Sequence, residues 1–166
     1  MSRDIDAWIT DREYYAVLEW FRSNTLFHIM RDHPLHFFPM LGGTWSFSNK
    51  RNRSIGREIY LKITNKSIIR PYNNRLYLED QFFLIHHVWP LAKLNSTIHD
   101  SYFCREFGDK TLPFPTKRPS LDCFISCNEC CIKIVNLTSI SLKLSNRAVS
   151  RECPVVCRKN KNWKFC

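Results

Sequence analysis

No stretch of this 166-residue chain approaches the roughly 18 to 20 uninterrupted apolar residues of a membrane-spanning helix. Arg3, Asp4 and Asp6 stand where an export signal would place its apolar core, so the chain as written is expected to carry neither an anchor nor a leader. Glycine is scarce, at four residues, which excludes a collagenous chain. Cysteine is nearly missing from the body, where Cys104 stands alone, and acid is nearly missing from residues 142–166, where Glu152 faces seven Lys or Arg.

What is present suits a single folded domain, because 44% hydrophobic and 14% aromatic residues are enough to build a core. The formal charge is +10; seven cations less one acid put +6 of it on residues 142–166 and leave +4 for the rest. The body is therefore only mildly basic. It shows no basic stripe interleaved with stacking aromatics, and nucleic acid is not an expected partner. The mild excess suits an anionic nucleotide as well.

Cys123, Cys127, Cys130, Cys131, Cys153, Cys157 and Cys166 crowd the last 44 residues. Cys127-x2-Cys130 with Cys153-x3-Cys157 has a spacing that supplies four thiolates to a structural zinc. Irregular spacing suits disulfides in an oxidising compartment better, or an atypical, poorly ordered tail that does not fold with the domain, so zinc in the tail is not expected. Within it, Ile132 to Leu144 permits one or two short strands. Four N-x-S/T sequons, at Asn52, Asn65, Asn95 and Asn136, hint at a secretory route.

Thr10 and Glu13 form a capping box, and Tyr14, Val17, Leu18 and Phe21 follow at helical spacing, which predicts a helix from about Asp11 to Ser23. Phe27 to Met30 reads as a strand delivering Arg31, Asp32 and His33 at its exit, where Pro34 ends the element. His28 reads as a satisfied strand histidine, while His33 and His36 sit in a loop where they can meet a ligand. From Phe47 to Arg75 basic loops surround a helix near Ile55 to Thr64. A further helix begins at Glu79 and Asp80, acids at the positive end of its dipole, and is kinked or ended by Pro90. His86 and His87 inside it read as structural.

Asp4 and Asp6 immediately precede the first helix. One intervening residue lets two carboxylates project the same way and share a hard divalent cation, although a solvated turn has the same pattern. Gly42-Gly43 holds half of the glycines, which suggests a close backbone approach, a positive φ, or a simple tight turn. Asp80 and Gln81 read either as ordinary helix-start residues or as ligands for sugar hydroxyls.

Arg31-Asp32-His33-Pro34, Leu41-Gly42-Gly43-Thr44-Trp45, Glu79-Asp80-Gln81-Phe82-Phe83-Leu84 and Ile98-His99-Asp100-Ser101-Tyr102 occur, after Asp4-x-Asp6, in an order that resembles a family of A-type nucleotide-sugar glycosyltransferase-like proteins. The resemblance runs from about Ser2 to Arg118. It implies an α/β fold, a partial Rossmann-like A-type domain over residues 1–118 that lacks the N-terminal nucleotide-binding strands, followed by a basic Cys-rich tail over 119–166. It implies Mn²⁺ or Mg²⁺ held by Asp4, Asp6 and His99 against a nucleotide diphosphate sugar. It implies substrate contacts from Arg31, Asp32, His33, Gly42, Gly43 and Gln81, with Asp80 as the catalytic carboxylate. The expected activity is sugar transfer to an unknown acceptor hydroxyl, weak or absent in so short a chain. The alternative is a non-catalytic Cys-rich interaction module, stapled by disulfides or zinc. Location follows from an N-terminus not contained here, in the secretory pathway (Golgi) or the cytoplasm.

Overall fold

The structure, a computed structural model, describes residues 2–3 (backbone only), 7–73, 78–107, 110–127, 131 and 151–166. Asp4, Asp6 and the strands expected between Ile132 and Leu144 lie outside the described residues. The chain is mixed α/β. Its elements are β1 (Ser2–Arg3), α1 (Asp11–Arg22), β2 (Phe27–Arg31), β3 (Thr44–Phe47), α2 (Arg53–Thr64), α3 (Lys66–Ile69), α4 (Glu79–Phe83), α5 (Trp89–Ala92) and β4 (Ser96–Asp100). The sheet has four strands in the order β1-β3-β2-β4. β2 pairs parallel with β4, Phe27 opposite Ser96 and Arg31 opposite Asp100, while β3 runs antiparallel to both of its neighbours.

α1 begins as its capping box requires, with the Thr10 hydroxyl accepting the Glu13 N–H at 3.2 Å. α2 and α3 are each capped by an asparagine, Asn52 and Asn65, whose side-chain oxygens accept amides of the first turn. α4 runs through a π-helical turn, Leu84–Val88, into α5. Pro90 explains the register change: it has no N–H to return to the carbonyl of His86, and the wider turn just before it absorbs the mismatch.

All five residues of β2 are buried, as expected of a central strand covered on both faces. Phe27 and Ile29 face one side, where they join Ile98, Met40, Ile59, Leu84, Val88 and Ala92 beneath α2, α4 and α5. Burial of each of the larger side chains contributes about 1.5–3 kcal/mol. Met30 points the other way, into a smaller cluster with Ala16 of α1, Phe114 and Ile125. The alternation of the strand thus splits the core into two layers.

The described part of the tail is fastened to the body. Cys104 is disulfide-bonded to Cys157, Cys123 to Cys131 and Cys153 to Cys166, and no cysteine is free among the described residues. With Cys153 and Cys157 oxidised, the four-thiolate zinc arrangement is not formed. Cys153 and Cys166 pack with Tyr102 and Phe103 in a third apolar cluster. No helix among the described residues is long and apolar enough to cross a membrane.

Candidate functional site

The carboxyl ends of the parallel strands β2 and β4 are where an open α/β sheet ordinarily receives a ligand. Here that place is filled by the protein's own charges. Arg31, at the end of β2, donates to Asp100, at the end of β4, at 2.6 Å, and both side chains are fully buried. Asp100 also accepts the backbone amides of Tyr102 and Phe103. Asp32 is equally buried. Arg12 of α1 grips it with two nitrogens, each at 2.9 Å, while Arg118, the Ser101 hydroxyl and the Ile125 amide complete its shell. The carbonyls of Thr116 and, from the tail, of Cys166 close the cluster by accepting from Arg12. Burial acts to raise the Asp32 pKa, but the guanidinium of Arg12 and then that of Arg118 overcome it and hold the carboxyl well below the usual carboxylate range.

His28 and His99 form a second buried group on the α1 face of the sheet. His28 Nε2 and His99 Nδ1 are 2.9 Å apart, and His99 Nε2 lies 2.9 Å from a Glu19 carboxylate oxygen. A carboxylate only accepts, so His99 donates to it from Nε2 and receives the Nε2–H of His28 at Nδ1. His28 Nδ1 is then a buried acceptor with no partner among the described residues. Burial first, and then the neighbouring imidazole, hold His28 well below its ordinary pKa; burial lowers His99 too, against its bond to Glu19. Both ring nitrogens of His99 are engaged, so in this arrangement it offers no lone pair to a cation.

His33 and His36 flank the Asp32 cluster. The Asp32 N–H donates to His36 Nδ1 at 3.1 Å, and the His33 ring packs on Phe124 at 4.3 Å. Desolvation takes His33 down to about 4 and His36 to about 3, so both are neutral at pH 7.

A different set of residues surrounds open space. A pocket of about 440 Å³ is lined by Gly42, Trp45 of β3, Ile59 and Ile63 of α2, Tyr72, and Asp80 and Phe83 of α4. The Gly42 N–H donates to Gln81 Oε1 at 3.2 Å, and Gln81 Nε2 donates to Asp80 at 3.3 Å. Gly42 does not have a positive φ; what it supplies is closeness, because a Cβ there would stand 2.5 Å from Asp80 Oδ2 and 3.0 Å from Gln81 Nε2. The Asp80 side of the pocket opens from Leu78, a non-glycine residue in the left-handed region at φ 76. Strain of this kind gathers at ligand sites.

No protein-family model matches this chain, and comparisons with curated proteins and with solved structures find no match.

The structure therefore sorts the expected site residues into three places. Gly42 and Asp80 line the pocket and Gln81 is bonded to both, while the carbonyl of the adjacent Gly43 accepts the Ser126 hydroxyl at 3.3 Å. Arg31 and Asp32 are buried in ion pairs and His33 packs beside them, away from the pocket lining. His99 lies within the sheet, and Asp4 and Asp6 lie outside the described residues. Among the described residues no group of three or more His, Cys, Asp or Glu is arranged to hold a metal. The sequence reading missed Trp45 and Tyr72, the aromatic walls of the pocket. The alternation Thr44-Trp45-Ser46-Phe47, which buries Thr44 and Ser46 on one face, was the available signal for the strand that carries Trp45.

Proposed function

We propose that this chain is a glycosyltransferase-like domain of the A type, and that the pocket between β3, α2 and α4 receives the sugar of a nucleotide diphosphate sugar. The observation that carries the proposal is the joining of Gly42 and Asp80 at one aromatic-walled pocket, with Gln81 hydrogen-bonded to both. A sugar presents hydroxyls at its edge and C–H groups on its faces, and it is recognised by carboxylates and amides together with aromatic surfaces. Asp80 is exposed and Trp45, Tyr72 and Phe83 stand around it, which matches both needs. In this reading Asp80 orients the sugar or accepts the proton of the attacking hydroxyl.

A Rossmann-like arrangement is part of the same proposal, supported by the parallel pair β2 and β4 with helical segments between them. Asp4 and Asp6, two carboxylates of suitable spacing, are the proposed ligands of Mn²⁺ or Mg²⁺; His99 joins them only by giving up His28 or Glu19. The cation would neutralise charge developing on the leaving diphosphate.

Calorimetric titration with Mn²⁺ and a panel of nucleotide diphosphates and their sugar conjugates tests the reading. Metal-dependent binding that Asp4→Ala/Asp6→Ala abolishes, and an added affinity for one sugar conjugate that Asp80→Asn removes, support it. Equal, metal-independent or absent binding in all three proteins rejects it and favours the Cys-rich interaction module, for which the disulfides among the described residues speak.

A further inference from the structure

We propose that Asn65 is an N-glycosylation acceptor, modified in an oxidising secretory compartment by transfer from a lipid-linked oligosaccharide diphosphate. Two independent observations meet at this residue. The first is redox. The disulfides Cys104–Cys157, Cys123–Cys131 and Cys153–Cys166 tie the described tail to itself and to the body, and such bridges persist in the compartment that also carries out N-linked transfer.

The second is the geometry of the sequon. Asn65, Lys66 and Ser67 are all exposed at the break between α2 and α3, so the whole recognition triplet stays reachable in the folded chain. Asn65 Oδ1 accepts the Ser67 N–H at 2.9 Å and caps α3, whereas Nδ2 makes no hydrogen bond to the described residues. The modification needs only Nδ2. A bond forms between Nδ2 and the anomeric carbon, the bond from that carbon to the diphosphate oxygen breaks, the lipid diphosphate departs, and the proton lost by Nδ2 passes through the transferase to water. Oδ1 remains free to cap the helix.

The other sequons are placed differently. Asn52 is half-buried, and its Oδ1 receives the Ser54 N–H, the Ser54 hydroxyl and the Ile55 N–H. Asn95 is exposed, but Thr97, which completes its sequon, is buried in β4 with its hydroxyl bonded to Thr25 and Ser23. Folding therefore withdraws the Asn95 sequon and leaves the one at Asn65 open. Asn136 lies outside the described residues.

The test is expression of the full chain behind a cleavable leader in a eukaryotic secretory cell, and in parallel its import into microsomes during translation. Release by an amide-cleaving glycosidase in ¹⁸O-water, followed by peptide mapping, is expected to find labelled aspartate at position 65. Ser67→Ala should remove that label and Ser67→Thr should retain it. Neither change touches the backbone amide that caps α3, so both variants are expected to melt with the parent. Unlabelled Asn65 in disulfide-bonded protein from either source overturns the proposal, as does label confined to Asn52, Asn95 or Asn136.

Discussion

Asp32 is an ionised carboxylate with no access to water, and its burial is tolerated because two guanidinium groups, a hydroxyl and a backbone amide surround it. Removing it would strand Arg12 and Arg118. Asp32→Ala is therefore expected to lose about 3–5 kcal/mol of stability, read from urea denaturation. The folded pKa of Asp32 is depressed, so its contribution is fully present above about pH 4, the unfolded value, and is lost as the pH falls through the folded one. In Asp32→Asn that segment of the acid dependence should vanish; an unchanged profile would mean the ion pairs contribute nothing. Gly42 is constrained in another way. A Cβ there collides with the outer atoms of Asp80 and Gln81, which can swing aside. Gly42→Ala should accordingly lower affinity for a sugar conjugate at least about tenfold, the loss of one good hydrogen bond to a charged group, while changing stability by less than about 1 kcal/mol. Asp80 and Gln81 at a helix start were legible in the sequence. That Gly42 is their neighbour was not, because the 37 residues between Gly42 and Asp80 must fold first to bring them together.

Elements whose signals are local came out of the sequence nearly whole. α1 was expected over Asp11 to Ser23 and is found over Asp11–Arg22, and β2 extends one residue past its expected end at Met30. The Thr10 cap is the reason for the first, and Thr10→Ala should cost about 1 kcal/mol in the denaturation midpoint. β3 went unread because four residues behind a Gly-Gly turn carry little periodic signal, and pairing with Phe27, His28 and Ile29 is what makes them a strand. Pro90 was read as a kink or an end. Helical structure passes through it because the proline enters α5 in the first turn, where a missing N–H is tolerated, and the π turn ahead of it takes up the change in register.

Across the whole molecule, five histidines are held below their ordinary pKa: His28, His33, His36, His87 and His99. In each, desolvation is the leading cause. Unfolding exposes them, and below about pH 6.5 the unfolded chain binds protons that the folded chain refuses. Stability should therefore fall as the pH drops from 7.5 towards 5, with a slope approaching about 1.4 kcal/mol per pH unit for each histidine that stays neutral in the fold. Denaturation midpoints across that range, set against proton uptake on unfolding, check the sign and the number. The tail supplies a second test at this scale. Cys104–Cys157 closes a loop of 53 residues, and Cys104→Ala/Cys157→Ala is expected to cost about 4 kcal/mol by chain entropy, seen as a lower melting temperature under non-reducing conditions. A tail independent of the body would leave the melting of the body unchanged.

The mixed α/β class, the first helix and central strand, and the residues able to bear charge or bind a hydroxyl follow from local signals, since capping, alternation and side-chain chemistry act over a few neighbours. Which of those residues meet water depends on the packed fold. Arg31, Asp32 and His99 lie on buried strands or at a strand end, where neutralising partners from α1, β4 and Arg118 make them part of the framework. Gly42 and Asp80 lie on a turn and a helix start that border an open pocket, with Gln81 bonded to both. The physical reason is that desolvation and charge pairing are set by neighbours distant in sequence: Arg12 and Arg118, which together neutralise Asp32, stand 20 positions before it and 86 after it.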